Sequence, residues 1–576
     1  METSIQYPGQ LQQSESDFQV LRTDNYLYVD KTQFIVNLFR KERRVFISRP
    51  RRFGKSLMLS TIENLYLGKT ELFKNLAIEK YLNDPLFQKH TVIDLDLSSI
   101  SPSYGISGVE NDLMLLLKLK AENLNIELSS SMPHAAFGEL IHRLANRDGK
   151  VVILIDEYDR VLIDSFDTPK LQNSIRKLFR DFYYQIKSKN KYVHAVYITG
   201  ISKYTKMGVF SAANNIVDLS THKDFCTMLG YTHEEVVANF KYYIHETSRH
   251  FNITEDTLLA KLKTYYDGYS FCGDSSTVYN PTSIHSFFTE KKFDNYWIET
   301  GQQEFIESYI AKSKFKVEDF EHYKITLRQL KMPGEVKKSI APALYLYQAG
   351  YLTPREDLKK KNAYYLTYPN NEVRSSMIEL TENNFFTDIR FEDEVDANIK
   401  KLHECLNNED YIAIYSIFND IFLKIVYDDY NKSNKNELRL ECFYRNTIYL
   451  LMMNAGLDIR PEEHKSVGRV DLVLYHANKI ILFELKVSGS GTDANIKKKF
   501  REANEQMDEY AKAYKNPISI CITINAKRRQ IALASIDDDV YKGVHNPKKR
   551  VPDTYERIGD LQRILESIPK SSDKTQ

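Results

Sequence analysis

Shortages are the first information this sequence offers. Its five cysteines (Cys226, Cys272, Cys405, Cys442 and Cys521) stand far apart with no Cys-x-x-Cys pair. That spacing speaks against a zinc ribbon or a disulfide framework, and for a reducing cytosol. An excess of one charge is missing too: 79 Lys and Arg face 78 Asp and Glu, leaving +1. Such a chain has no global pull toward nucleic acid or membrane, so either must be bound by a local patch. No stretch approaches the roughly 18 uncharged apolar residues of a spanning helix. The opening METSIQYPGQLQQSES lacks a basic-then-apolar targeting pattern. Internal repeats and long low-complexity tracts are absent as well. The expectation is a cytoplasmic protein that does not enter a membrane.

What is present is length and a globular composition. Hydrophobic residues make up 42% and charged residues 27% of 576 positions, too many for one core, so roughly two to four domains are expected. Residues 1–17 are polar and read as loose. From 18 to 230, the short aliphatic runs RRVFIS, TVIDLDLSS, VVILIDEYD and YVHAVYITG alternate with helix-length stretches. That alternation predicts a parallel sheet covered by helices. Residues 231–371 turn helical and Tyr-rich, with AYYLTYP as the one further strand run. Helical periodicity dominates 372–437, ending in the polar stretch DDYNKSNKNE, which reads as a linker. A last α/β segment covers 438–560, and 561–576 form a tail.

SRPRRFGKSLML, residues 48–59, ends in a Gly-Lys-Ser able to hold a phosphate, but Arg49 stands where a first glycine is usual. VFIS before it reads as a strand, and SLMLSTIENLYL after it places Leu59, Ile62 and Leu65 at helical spacing. Strand, loop and helix N-terminus together aim backbone N–H groups at an anion. In that geometry Lys55 reaches terminal phosphates and Ser56 binds magnesium. A solvated basic turn fits the loop alone equally well. VVILIDEYD breaks the tie, because a strand ending in Asp156-Glu157 offers a magnesium ligand and a group to polarise attacking water. Thr199, at the end of YVHAVYITG, is a candidate γ-phosphate sensor. The residues predict a nucleoside triphosphatase.

YVDKT (28–32), ISRPRRFGKSL (47–57), ITGISKY (198–204), YYDGYSF (265–271), VYNPTSI (278–284), YWIETG (296–301), YQAGYLT (347–353) and YPNNEVR (368–374) together resemble the AAA-ATPase-like family. That family typically carries a C-terminal PD-(D/E)XK nuclease-superfamily domain. The resemblance implies that RPRRFGKS is the family's own loop. Arg49, Pro50, Arg51, Arg52, Phe53, Gly54, Lys55, Ser56 and Leu57 would then surround ATP, with Thr199 beyond. No arginine finger is assigned among Arg51, Arg52 and Lys203. YYDGYSFCGDSSTVYNP reads as aromatic packing and turns, part of a helical or winged lid.

GRVDLVLYHANKIILFELKV (468–487) reads as a hairpin. A turn centred on Ala477-Asn478 sets Asp471 opposite Glu484, with Lys486 on the same face as Glu484. Directly opposed like charges, about 5 Å apart at Cβ, are unfavourable. They need a cation, a proton or another register. Mg²⁺ resolves the conflict, since Asp and Glu oxygens suit a hard cation that keeps its waters and meets a phosphodiester. Lys486 would position or deprotonate the nucleophile and offset charge on the phosphorane-like transition state. Asp471 and Glu484-Leu485-Lys486 resemble the PD-(D/E)XK pattern, with glycine near the place of proline. The helix 437–456, ending at Gly456, brings Glu441 as a further acid. Gln506, on a helix with Phe500, Ala503, Met507, Tyr510 and Tyr514 at core spacing, matches the glutamine such nucleases keep beside the metal. Lys497–Lys499, KRR (527–529) and KKR (548–550) suit nucleic-acid phosphates, though solvated faces are the commoner meaning.

The combined expectation is a P-loop ATPase whose ATP and Mg²⁺ state regulates a magnesium-dependent nuclease, with DNA the favoured partner and a homo-oligomer left open. The alternative is an ATP-driven switch whose C-terminal domain binds nucleic acid or protein without cutting. A third reading is a degenerate protein in which neither site turns over.

Overall fold

The computed structural model describes residues 7–165, 168–202, 215–297, 323–331, 342–356, 363–377, 392–424, 437–455, 457–465, 468–545 and 552–567. Lys203, Gly456, residues 298–301, the polar stretch 428–436, KKR at 548–550 and the end of the tail lie outside the described residues. Two units divide the chain: Met1–Gln303 with Asp319–Arg374, and Glu304–Glu318 with Ser375–Gln576. Among the described residues no helix is long and apolar enough to cross a membrane.

In the first unit the four aliphatic runs become β1 (Arg44–Ser48), β2 (Val92–Asp96), β3 (Val151–Asp156) and β4 (Val193–Gly200), joined by a short β5 (Val217–Asp218). All pair in parallel, in the order β2-β3-β4-β1-β5. Parallel sheets are covered on both faces, so their strands read as unbroken aliphatic runs; Val151 through Ile155 are all buried. Helix Pro169–Ser188 supplies one cover, burying Ile175, Phe179, Phe182, Tyr183 and Ile186 at helical spacing in the core beside the sheet. Burying one such side chain contributes about 1.5–3 kcal/mol, so the stripe holds this layer in place. The register sets Ser48 beside Gly200 and Ile155 beside Ile198. The C-terminal ends of β1, β3 and β4 therefore meet at one edge, where open α/β sheets present their ligand sites.

Residues 10–17, expected to be loose, are held. Gln10 N–H donates to the Asn25 carbonyl at 3.0 Å, and Gln12 N–H donates to His285 Nδ1 at 3.2 Å. Backbone pairing of this kind leaves no compositional trace. The region read as a lid packs within the first unit. Its helices His233–Asn239, Lys241–Phe251, Glu255–Tyr266 and α2 (Pro281–Glu290; α1 is the loop helix Lys55–Tyr66) share a core that includes Leu27 and Val29. A small antiparallel sheet follows, with β8 (Ala363–Thr367) between β6 (Tyr323–Thr326) and β7 (Thr353–Glu356). The cysteine expectation is also corrected. Cys226 and Cys272 are disulfide-bonded, their Cα atoms 5.8 Å apart. Separation in sequence said nothing of it, because folding brings the two segments together. Cysteine usage therefore no longer speaks for a reducing compartment.

One buried acid joins several of the motif blocks. Glu372 is fully buried and accepts hydrogen bonds from Trp297 N–H and Ser283 Oγ, each 2.9 Å long. Burial pushes its carboxyl from 4.5 up to about 8, opposed by those donors and aided by Asp294. The folded state thus keeps a proton that the unfolded chain loses above pH 4.5. This group's contribution is fully present below that pH and is lost as pH rises toward 8. We expect the unfolding midpoint of the first unit to fall between pH 5.5 and 8.5 by more in the wild type than in Glu372→Gln. The sole tryptophan, Trp297, reports this transition by fluorescence. Parallel pH profiles would show that Glu372 titrates elsewhere.

The second unit is built on seven strands: β9 (Asp458–Lys465), β10 (Gly468–His476), β11 (Lys479–Ser488), β12 (Ile518–Asn525), β13 (Gln530–Ile536), β14 (Asp539–His545) and β15 (Pro552–Asp560), neighbours in chain order. Only β11 and β12 pair in parallel. A parallel pair needs a long crossover, which α4 (Asp493–Ala511) supplies, burying Ile496, Phe500, Ala503 and Met507. The segment read as a linker belongs to this unit. From helix Tyr411–Lys424, Asn419 Oδ1 accepts from Ile531 N–H at 2.8 Å, and Tyr415 Oη donates to the Ser535 carbonyl at 3.3 Å. Part of the expected tail is a helix, Leu561–Ser567, whose Leu561, Ile564 and Leu565 pack on Phe500 and Val540.

Candidate active sites

The phosphate loop leaves β1 at Ser48 and turns through Arg52 and Gly54, both left-handed at φ 66° and 86°. Helix α1 then begins at Lys55 with no side chain capping its first turn. Its N–H groups are therefore available to an anion, in the field of the helix dipole. Lys55 is buried, and its Nζ donates to the Pro50 carbonyl at 2.9 Å. Burial lowers its pKa against the pull of Asp156, Glu157 and Asp159. Asp156 Oδ1 accepts from Glu157 N–H at 2.9 Å and from Thr199 Oγ1. Thr199 thus faces the β3 carboxylate. Glu157 takes a left-handed φ of 49°, and burial raises its pKa while Lys55 opposes the shift.

Of these groups, Lys55 and Glu157 border a cavity of about 390 Å³, of a size that encloses a small ligand, whereas Asp156 and Thr199 are not among the residues that line it. Arg51, Arg52, Phe53, Gly54, Lys55, Ser56, Leu57, Glu157 and Arg160 line one part. Leu27, Val29, Met228, Tyr231, Thr282, His285 and residues 12–16 line the rest. The second set was not singled out in the sequence as site residues, although Val29 and Thr282 lie in the YVDKT and VYNPTSI blocks. His285 is kept neutral, since burial pushes its pKa down to about 4, and it contacts Tyr231 Oη through Nε2 at 3.1 Å.

Arg49 does not belong to the cavity, contrary to its place in the expected cofactor set. It is 2% exposed, and its guanidinium turns back into the core. Nη1 donates to the carbonyls of Ser48 (2.8 Å) and Ser220 (2.7 Å), and Nη2 to that of Phe225 (3.1 Å). Its Cζ lies over the Phe271 ring, 4.0 Å from the ring centre. Where a glycine would leave a gap, this side chain ties the loop to what lies behind it. Pro50 also faces away: a Cβ on Gly350 would come within 2.6 Å of the Pro50 Cβ.

The scattered motif blocks form the loop's rear support. Asn280 Nδ2 (3.4 Å) and Trp297 Nε1 (3.2 Å) both donate to the Arg51 carbonyl. Phe53 packs edge-on against Tyr269 (4.8 Å) and Phe271 (5.3 Å). Gly268, at φ 110°, lies against the Pro369 carbonyl, where a side chain would clash. The signal in the sequence was the separate blocks themselves, each rich in Gly, Asn and aromatics without a local reason.

In the second unit, β10 and β11 pair Leu472 with Phe483 through His476 with Lys479. Ala477 and Asn478 form the turn at φ 46° and 64°, the two positive values a tight hairpin needs. Asp471 stands just beyond this ladder. Its Oδ2 accepts from Leu485 N–H at 2.9 Å, and its Oδ1 lies 3.5 Å from Arg445 Nη1. Lys486 Nζ reaches Glu484 Oε1 at 2.8 Å and Glu441 Oε1 at 3.2 Å. Glu441 projects from α3 (Glu437–Asn454). Burial and the Asp471 charge push the Glu484 carboxyl up to about 8. Burial opposes charge on Lys486, but Glu484 and Glu441 outweigh it and hold the ammonium protonated. Asp471, Glu484, Lys486 and Glu441 therefore come together, and Arg445 joins them unforeseen. Gln506 does not: it is exposed and bonds none of these groups among the described residues.

Glu484 Oε2 is buried and has no hydrogen-bond partner among the described residues. An unmatched carboxylate oxygen beside Asp471 fits a hard divalent cation. Among the described residues no group of three or more His, Cys, Asp or Glu forms a complete ligand set. An ion held by Asp471 and Glu484 would complete its shell with water and substrate oxygens.

Residues 14–210 match the family model described as a predicted AAA-ATPase, and residues 439–532 match that of the PD-(D/E)XK nuclease superfamily. An uncharacterized protein in the vnfD 5' region of Azotobacter chroococcum mcd 1 is 30% identical over 467 residues, covering 81% of this chain and 86% of its own. Among solved structures, the Aeropyrum pernix ORC2 protein in ADPNP-ADP complexes overlaps with a TM-score of 0.24 at 10% identity, over 66% of this chain and 96% of that one.

Proposed function

The chain belongs to the AAA-ATPase-like family and carries a PD-(D/E)XK nuclease-superfamily domain, and from that premise we propose that it hydrolyses ATP and cuts DNA, the first activity governing the second. Support for ATP lies in the cavity: Lys55 and the open α1 N-terminus suit phosphates, and the apolar wall around Leu27, Val29 and Tyr231 suits a flat base. Ser56 and Asp156 would hold the nucleotide's magnesium. Glu157 takes up the proton of the attacking water. Glu157→Gln should leave ATP binding intact and slow hydrolysis about 10²–10⁴-fold, measured as phosphate release beside nucleotide titration.

The observation that carries the nuclease reading is the unmatched Glu484 Oε2 beside Asp471 and the Lys486 ammonium. A divalent ion there would polarise the phosphodiester and acidify a bound water. Lys486, already protonated, stabilises charge on the phosphate rather than removing a proton. Arg445 holds Asp471 in place, and Lys497, Lys498, Lys527 and Arg528 present exposed charge to a polyanion. The test is cleavage of labelled single- and double-stranded DNA and RNA in magnesium, with and without ATP, by wild type and Lys55→Ala. ATP-responsive cutting of DNA that loses its response in Lys55→Ala is expected. ATP turnover with no substrate cut would leave a nucleotide switch whose second unit only binds.

A further inference from the structure

The phosphate loop carries three arginines, and the fold treats each differently. Arg49 is spent on the core. Arg52 is exposed. Arg51 stands on the cavity wall with Lys55, Glu157 and Arg160, and its Nε and Nη2 are buried with no hydrogen-bond partner among the described residues. Unmatched guanidinium donors are costly, so a chain keeps them where a ligand brings the acceptors. Arg160 is less available: its Nε lies 2.7 Å from Asp164 and its Nη1 4.0 Å from Glu157. The Arg51 backbone is meanwhile held by Asn280 and Trp297 through its carbonyl.

Resting on the ATPase reading above, we propose that Arg51 is a catalytic arginine supplied in cis, whose guanidinium takes the γ-phosphoryl oxygens as charge builds on them. In that step the water oxygen bonds to the γ-phosphorus. The bond to the β,γ-bridging oxygen breaks, and its electron pair leaves with ADP. The water's proton passes to Glu157. A planar guanidinium spans two phosphoryl oxygens at once, whereas the Lys55 ammonium acts as a point charge. Asn280 and Trp297 set where Arg51 stands, so a single chain completes its own hydrolytic site and needs no arginine from a second copy.

The test uses the full chain as wild type, Arg51→Ala and Arg51→Lys. Hydrolysis rates are measured beside the affinity for a fluorescent ADP, with and without aluminium fluoride, and Trp297 emission verifies folding. We expect Arg51→Ala to keep ADP affinity within about threefold, to lose the tightening by aluminium fluoride, and to drop kcat about 10³-fold. Arg51→Lys should recover little of either, and it carries the same readouts if the alanine variant fails to fold. Wild-type specific activity should hold over about a hundredfold dilution. Wild-type kcat in either variant, or a specific activity that falls on dilution, overturns the proposal. A wild type that binds no nucleotide overturns the ATPase reading itself, and the first titration shows it separately.

Discussion

Restoring the missing glycine, by Arg49→Gly, should lower the stability of the first unit by about 3–5 kcal/mol and weaken nucleotide binding rather than improve it. By motif alone the substitution is a repair. By structure it removes a guanidinium that is 2% exposed and bonded to the carbonyls of Ser48, Ser220 and Phe225. A hydrogen bond to a charged group contributes about 1.5–3 kcal/mol, and a buried acceptor left unmatched costs about 1–3 kcal/mol. The stacking on Phe271 goes as well. Freer backbone at residue 49 adds entropy to the unfolded chain. Arg49→Lys should be intermediate, because one ammonium cannot fork across three carbonyls. Urea unfolding followed at Trp297 gives the stability change. Wild-type stability in Arg49→Gly would mean that the core closes over the gap unaided.

Lys486→Ala should cut DNA at least about 10³-fold more slowly while binding Mg²⁺ no less tightly than wild type. The two halves of this expectation come from one geometry. Lys486 Nζ sits between Glu484 Oε1 and Glu441 Oε1, so it competes with a divalent ion for the carboxylates that would hold it. Removing the ammonium releases both acids to the metal but leaves the scissile phosphate without its charge partner. Calorimetric titration with Mg²⁺ beside single-turnover cleavage separates the two effects. Loss of metal binding together with cutting would make Lys486 a structural tie of the hairpin. Unchanged cutting would remove it from the chemistry.

Much of this was legible in one dimension, for local reasons. VVILIDEYD could only be a strand covered on both faces, and its end had to carry Asp156 and Glu157 to the sheet edge. The two apolar runs on either side of Ala477-Asn478 determined the hairpin that places Asp471 near Glu484, because a two-residue turn fixes which residues pair across it. Loop, strand and helix order around Lys55 needed nothing distant. These features repeat at the period of the backbone itself, so a sequence displays them.

What only the tertiary structure decided involves partners far apart in the chain. The sequence marked Arg49 as a loop residue, but its acceptors lie about 170 residues away, at Ser220 and Phe225, and they turn it from ligand to brace. Gln12 and His285 meet across 273 residues to close the cavity, and Cys226 finds Cys272 in the same manner. Arg445 reaches Asp471 from a helix whose pattern reports only which face is apolar. Gln506 shows the converse: a motif position on the right helix is left in solvent. Periodicity tells which side of an element faces inward, but not which group waits there, because that depends on how separate elements pack.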